Sequence, residues 1–339
     1  CNTAISAFLG FRTIEKNSLN IVISAIEHPA MKDAVLRYQD LGYEIRLVLP
    51  QVNSIISPEA VLAQIDAKTA LVSIMTANNE TGAIQDIVSI ARLVKAKNPG
   101  IVFVSDFVQA PGKSDLTADS LFHAGVDALT FSAHKIGAPA GIGALALNRK
   151  SPVCHIIEPF LRGGPQENRL RAGTENILGA VAFAEAAKEM NRGLAEQLIR
   201  IRSIRDAFYH QVSFALTSVS CLTPGITEGN DSLSLANTLL LRFAGCRGDD
   251  LAVALDLRGV QVSTGSACSS GRQDVSPVVL ALGIDKESAR EIIRISFDWD
   301  ATAEMAKNAA SIMIDCVTRM LAVNTSVPSL SSRNSHATA

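Results

Sequence analysis

The chain has 339 residues, 47% of them hydrophobic and 19% charged, enough to bury a substantial core in one large domain plus a smaller one, or in two similar domains. A formal net charge of −2, with both signs spread along the chain, gives no electrostatic ground for a nucleic-acid or anionic-membrane partner, and no apolar run is long enough to span a bilayer. The six cysteines (Cys1, Cys154, Cys221, Cys246, Cys268 and Cys316) contain no CxxC pair, which argues against a disulfide framework or zinc site and for a reducing, cytosolic setting.

In chain order, the opening CNTAISAFLGF is apolar but has neither a basic leader nor an initiator Met. It reads poorly as a signal peptide and more simply as the start of a fragment. NIVISAI, EIRLVL, ALVSIM, IVFVSDF, ALTFSA and IGALAL then follow as strand candidates, several of them Val/Ile-rich and continuous. HPAMKDAVLRYQDLG, PEAVLAQID and DIVSIARLVKAKN carry helical spacing between them. Continuous apolar strands alternating with helices predict a parallel sheet covered on both faces. From Asn176 to about Val212 the pattern is that of one long helix, with Gly193 as a possible break. SLSLANTLLLRFAG, DDLAVALDLRG and AEMAKNAASIMIDCVTRML then suit a small α+β domain. The tail NTSVPSLSSRNSHATA is Ser/Thr/Asn-rich and aperiodic, which predicts disorder.

The polar ends of the strand candidates carry the chemistry. In ALTFSAHKIGAPAGIGAL, His134 and Lys135 stand at the mouth of a strand before a Gly/Pro/Ala loop. A lysine held there can lose solvation, which lowers its pKa and makes its amine nucleophilic toward a carbonyl cofactor, of which pyridoxal phosphate is the commonest. That cofactor needs a carboxylate at its pyridinium nitrogen, donors for its phosphate and a platform for its ring. Asp106 ends another strand candidate with Gln109 three residues on, Asn79 follows a third, and His28 a fourth. Each alone has a plainer reading: Asp106 could cap the next helix, Asn79 could belong to an Asn-Gly-rich turn, and His28 could cap a helix starting at Pro29. In an open parallel sheet, however, ligands bind beyond the carboxyl ends of the strands, so four such ends describe a site.

SAHKIGAPAGIGAL, SIMTANNETGAIQDI, DFVQAPGK, RGGPQENRLRAGTEN, STGSACSSG and IIRISF, in this order, resemble the signatures of fold-type I pyridoxal-phosphate enzymes of aminotransferase class V, and within them the NifS-like cysteine desulfurases. The resemblance covers nearly the whole chain up to the tail. It implies a PLP-dependent transferase fold of the α/β class, with a large, mostly parallel domain over 1–188, a smaller α+β domain over 189–324 and a tail over 325–339. It implies that Lys135 forms the Schiff base and shuttles protons, that Asp106 pairs with the pyridinium nitrogen, and that His28 stacks on the ring. Asn79 and Gln109 would bond near the phenolic oxygen or the substrate, and Ser132 and His134 would contact the phosphate. Thr174 matches a residue that reaches the phosphate of a neighbouring subunit, which implies a homodimer with shared active sites. Arg294 matches the guanidinium that grips the substrate α-carboxylate, a bidentate task that Lys does poorly.

Cys268 decides the implied reaction. It lies in STGSACSSGRQDVSP, whose glycines and serines describe an exposed, mobile loop. In the resembled mechanism its thiolate takes sulfur from L-cysteine as a persulfide and leaves L-alanine, and the sulfur passes to Fe–S scaffold or other acceptor proteins. The alternatives are a selenocysteine lyase, another class V lyase or transaminase, or a non-catalytic remnant. The last arises because, on the resemblance, CNTAI follows the place where relatives carry a phosphate-binding turn, so that a phosphate anchor, part of the substrate lid and a sheet strand are expected to be missing. Ala138 and Pro165 also stand where the family usually has Gly.

Overall fold

A computed structural model of the protein describes residues 1–10, 14–15, 18–264 and 275–326. The six strand candidates of the first half form β1 (Asn20–Ser24), β2 (Glu44–Val48), β3 (Thr69–Ser73), β4 (Val102–Asp106), β5 (Ala128–Ser132) and β6 (Gly143–Leu147) of one sheet. The sheet order is β2-β1-β3-β4-β5-β6, parallel throughout except for β6, which pairs antiparallel with β5 at one edge. Every residue of β1 and of β4 is buried, as expected where both faces are covered.

The side-chain period of two sorts the strands between two cores. Ile21, Ile23, Val102 and Val104 face helices α1 (Asn2–Leu9) and α2 (Pro29–Leu36), while Val22, Val72 and Phe103 face α3 (Pro58–Gln64), α4 (Ile87–Lys97) and α5 (Ala118–Ala124). The opening apolar segment, for which the sequence alone predicts no element, is therefore a helix packed on the sheet, with Ala4 and Ile5 fully buried.

The long helical pattern is two helices, α6 (Ile177–Asn191) and α7 (Leu194–Ala215), separated at Gly193, whose φ of 64° is left-handed. That conformation strains residues bearing a Cβ, so the helix ends there. The remaining chain forms β7 (Val219–Cys221), β8 (Thr238–Phe243), α8 (Gly248–Asp256), β9 (Ser263–Thr264), α9 (Pro277–Ala281), α10 (Lys286–Ala289), β10 (Ile292–Ser296) and α11 (Ala303–Ser326). Its sheet is antiparallel, in the order β7-β8-β10-β9. Leu239 and Leu241 face a core shared with α7 and α11, and Leu240 faces Val279 and Ala289 of α9 and α10.

The second sheet's lobe docks on the loop after β3. Leu235 N donates to the Gly82 carbonyl (2.9 Å), Ile84 N donates to the Leu233 carbonyl (2.9 Å), and Ala236 N donates to the Lys113 carbonyl (3.1 Å). A Cβ on Gly82 would come within 3.1 Å of Thr238 Cβ, and its φ is +76°. Glycine is what allows this close approach. Helix α11 runs to Ser326, so the first two residues of the tail expected over 325–339 are helical, and the rest of it lies outside the described residues.

Candidate active site

β1, β3, β4 and β5 are neighbours and run the same way, so their carboxyl ends line one edge of the sheet. His28, Asn79, Asp106 and Lys135 all follow or end these strands. Asp106 closes β4 and is 5% exposed. Its Oδ1 accepts from Val108 N (3.0 Å) and Thr130 Oγ1 (3.2 Å). Among the described residues, the hydrogen-bond partner of its Oδ2 is the Cys1 thiol at 3.7 Å, a weak donor, with the charge of the Cys1 amino group also facing the carboxylate. Asp106 does not cap a helix: the next one, α5, is capped by Thr117. The carboxylate is thus fixed by one oxygen and keeps the other for a stronger donor, which fits a protonated ring nitrogen.

His28 does cap a helix. Its Nδ1 accepts from Ala30 N (3.1 Å) with Pro29 in the first turn, so the neutral ring carries its proton on Nε2. Capping and a ring-platform role are therefore compatible, since capping holds the imidazole still.

Lys135 and His134 lie on a short 3-10 turn, Ala133–Ile136, closed by Gly137 at φ 90°. Both side chains are exposed, and α6 packs against this turn. His134 Nδ1 pairs with Ser132 Oγ at 2.9 Å. Partial desolvation and the charges of Lys135 and Lys113 push the His134 imidazole down. Gln109 Oε1 accepts from Lys113 Nζ at 2.9 Å. Thr174 is exposed in the loop before α6.

Arg294 reaches the same edge from β10. Nη1 donates to the Asn79 carbonyl (2.9 Å) and Nη2 to Ser263 Oγ (3.3 Å), while its buried Nε finds no acceptor among the described residues. A guanidinium with an unused N–H is suited to an incoming carboxylate. Asn79 contributes its backbone here; the neighbouring Asn78, which is fully buried, builds the turn, donating to the Ile26 carbonyl and accepting from Glu80 N and Thr81 N, each at 2.9 Å. Cys268 lies outside the described residues.

Three groups here had no role in the sequence pattern. Glu27 is 3% exposed; its Oε1 accepts from Met75 N (2.5 Å) and its Oε2 is unpartnered among the described residues. Burial, then the charge of Asp106, pushes its carboxyl well above the usual range. Glu80 Oε2 accepts from Ser276 Oγ, and burial raises its carboxyl despite Ser276 and Arg294. Lys113 is the third. The only trace of them in the sequence is a charged residue beside each motif: Glu27 before His28, Glu80 after Asn79, and Lys113 after Gln109.

Residues 2–308 match the aminotransferase class-V family. A cysteine desulfurase IscS of Stutzerimonas stutzeri (strain A1501) is 34% identical over 301 residues, covering 89% of this chain and 70% of that protein. One from Dictyoglomus turgidum is 34% identical over 285 residues, covering 84% and 68%. Among solved structures, a NifS-like protein superposes with a TM-score of 0.79 at 29% identity, covering 94% of this chain and 78% of that one. A NifS-like protein from Rickettsia africae gives 0.75 at 26%, covering 95% and 79%.

Proposed function

The chain belongs to the aminotransferase class-V family, and we propose that it acts there as a pyridoxal-phosphate-dependent cysteine desulfurase, converting L-cysteine to L-alanine. The observation that carries this furthest is the shared strand edge, where the buried Asp106 keeps Oδ2 for a strong donor. When bound, pyridoxal phosphate supplies an electron sink for the carbanion that forms beside the substrate's amine.

Lys135 would hold that coenzyme covalently and move protons at the substrate carbons. Asp106 would hold its ring nitrogen, with His28 against the ring face and Gln109 and Asn79 near the phenolic oxygen or substrate. Ser132, His134 and a partner subunit's Thr174 would hold the phosphate. Arg294 would orient the α-carboxylate, a role its unused Nε–H supports. The Cys268 thiolate would accept the substrate sulfur: a Cys268 S–S bond forms, the substrate Cβ–S bond breaks, and Cβ takes a proton to give alanine. No external oxidant is consumed.

We read residues 1–188 as the larger lobe holding the coenzyme and 189–324 as the smaller lobe bearing Cys268, a division that the break at Gly193 and the separate cores support. Ile177, Leu178 and Val181 are 68%, 86% and 58% exposed on α6, beside the Lys135 turn, which favours a homodimer covering this face. Fe–S scaffolds or similar acceptor proteins would take the persulfide sulfur. The cytoplasm, where a free thiol persists, suits that chemistry.

The test is sulfide and alanine production from L-cysteine with a thiol reductant. Cys268→Ala should keep the coenzyme's absorbance band yet release no sulfide. Undiminished sulfide release from that variant would reject the persulfide route.

A further inference from the structure

Lys113 is a cation that the proposed chemistry leaves without a task. It follows β4, four residues past Gln109, and its backbone carbonyl accepts from Ala236 N at 3.1 Å, so it is pinned where the two lobes meet. Its side chain is half-buried and turned into the site, where its Nζ donates to Gln109 Oε1 at 2.9 Å. Among the described residues it makes no ion pair with a carboxylate. The charges that face it are those of Lys135 and Arg294, and His134 in turn feels Lys113. Burial first, then Lys135 and Arg294, brings its amine down to about 8. A desolvated ammonium among cations is costly to keep, and the usual remedy is a carboxylate partner. Here its bonding partner is a neutral amide instead.

That choice fixes the amide. An ammonium has three donors and no acceptor, so only the oxygen of Gln109 can face it. Nε2 then sits on the opposite arm of the planar group, and neither of its protons has an acceptor among the described residues. Without Lys113 the amide could turn over and present its oxygen to the same place, where it would repel an oxygen-bearing ligand. The ammonium also polarises the amide it binds, which strengthens the donors on the far side.

We propose that Lys113 is a positioning residue that locks Gln109 with its amide N–H groups turned toward the coenzyme, making Gln109 an obligatory donor to an oxygen of the bound ligand. This rests on the coenzyme reading given above.

The test is a double-mutant cycle on the full chain, read by the dissociation constant for pyridoxal phosphate and by the pH at which the bound coenzyme's absorbance band titrates. Lys113→Met should weaken coenzyme binding roughly 5- to 20-fold and shift the titration, as should Gln109→Leu. In the Gln109→Leu background, Lys113→Met should add nothing further, because the group it orients is gone. Lys113→Arg, which keeps donors but no acceptor, should restore binding to within about threefold of the parent protein. Thermal unfolding of each variant separates positioning from a loss of fold. Additive effects in the cycle, or a Lys113→Met protein with the parent's affinity and titration, would overturn the inference while leaving the coenzyme reading intact. A parent protein with no coenzyme band would overturn both.

Discussion

The Ser276 hydroxyl donates to Glu80 Oε2 at 2.5 Å, joining the chain just past residues 265–274 to the turn after β3. Ser276 is 3% exposed and also accepts from Val278 N (3.1 Å) and Val279 N (3.3 Å), so one side chain caps α9 and fastens it to the site wall. Removing the hydroxyl should cost about 1 kcal/mol of stability through the cap alone. Glu80→Ala leaves the cap intact and should slow sulfide release several-fold with coenzyme absorbance unchanged, because α9, which follows Cys268 in the chain, loses its tether to Glu80. Glu80→Gln keeps an oxygen that accepts from Ser276 and should stay close to the parent rate. Equal losses in the Ala and Gln variants would show that the carboxyl's charge, not the tether, matters.

Glu27 makes stability depend on pH in a predictable direction. Its folded carboxyl is raised well above its ordinary 4.5 by burial and by Asp106. A group raised on folding gives its full stabilisation below its unfolded pKa and loses it as pH rises toward the folded value. In that window the unfolded chain releases a proton that the folded chain must keep. Glu27→Gln cannot ionise and retains an oxygen for Met75 N. It should therefore match the parent near pH 4.5 and become progressively more stable than it toward pH 8, by denaturant midpoint. A constant difference across that range would mean that Glu27 does not titrate as its burial requires.

What was legible in the sequence follows from which forces are local. β1 and β4 show as Val/Ile-rich runs because both faces are buried, and Gly193 shows as a break because its backbone is left-handed. The strand-end residues were visible because chain alternation puts parallel strand ends on one edge. Helix α1 was not visible: eight residues with apolar side chains around most of the surface carry no clear period, and packing on the sheet decides them. Glu27, Glu80 and Lys113 were also hidden, since their partners Met75, Ser276 and Gln109 are set by tertiary contact, and an isolated Glu or Lys in sequence reads as solvated surface.

Asp106→Asn tests the acid at the end of β4. The amide oxygen can keep the bonds to Val108 N and Thr130 Oγ1, so the fold should be preserved and the melting temperature should move by no more than about 2 °C. The other arm, now an NH2, would face a ring nitrogen donor to donor and without charge. Coenzyme affinity should fall at least about tenfold, the scale of one charge-assisted bond. Titrating pyridoxal phosphate into each protein by absorbance checks this, and parent-like affinity would remove Asp106 from the site.

Arg294→Lys distinguishes a fork from a point charge. The guanidinium holds the Asn79 carbonyl with Nη1 and Ser263 Oγ with Nη2, and still has a buried Nε–H without an acceptor among the described residues. A lysine ammonium places its donors on one nitrogen and cannot serve both anchors and an incoming carboxylate in a plane. On the proposed role, the lost interaction is one made with the substrate's carboxylate before any bond changes. It should therefore appear mainly in KM for L-cysteine, raised roughly 10- to 100-fold, with a smaller change in kcat. Coenzyme binding should change little, since a positive charge still faces Lys113 and, among the described residues, Arg294 makes no hydrogen bond to Asp106 or Gln109. A kcat loss at constant KM would instead mean that the guanidinium acts on the transition state, and an unchanged kcat/KM would free Arg294 from substrate recognition altogether.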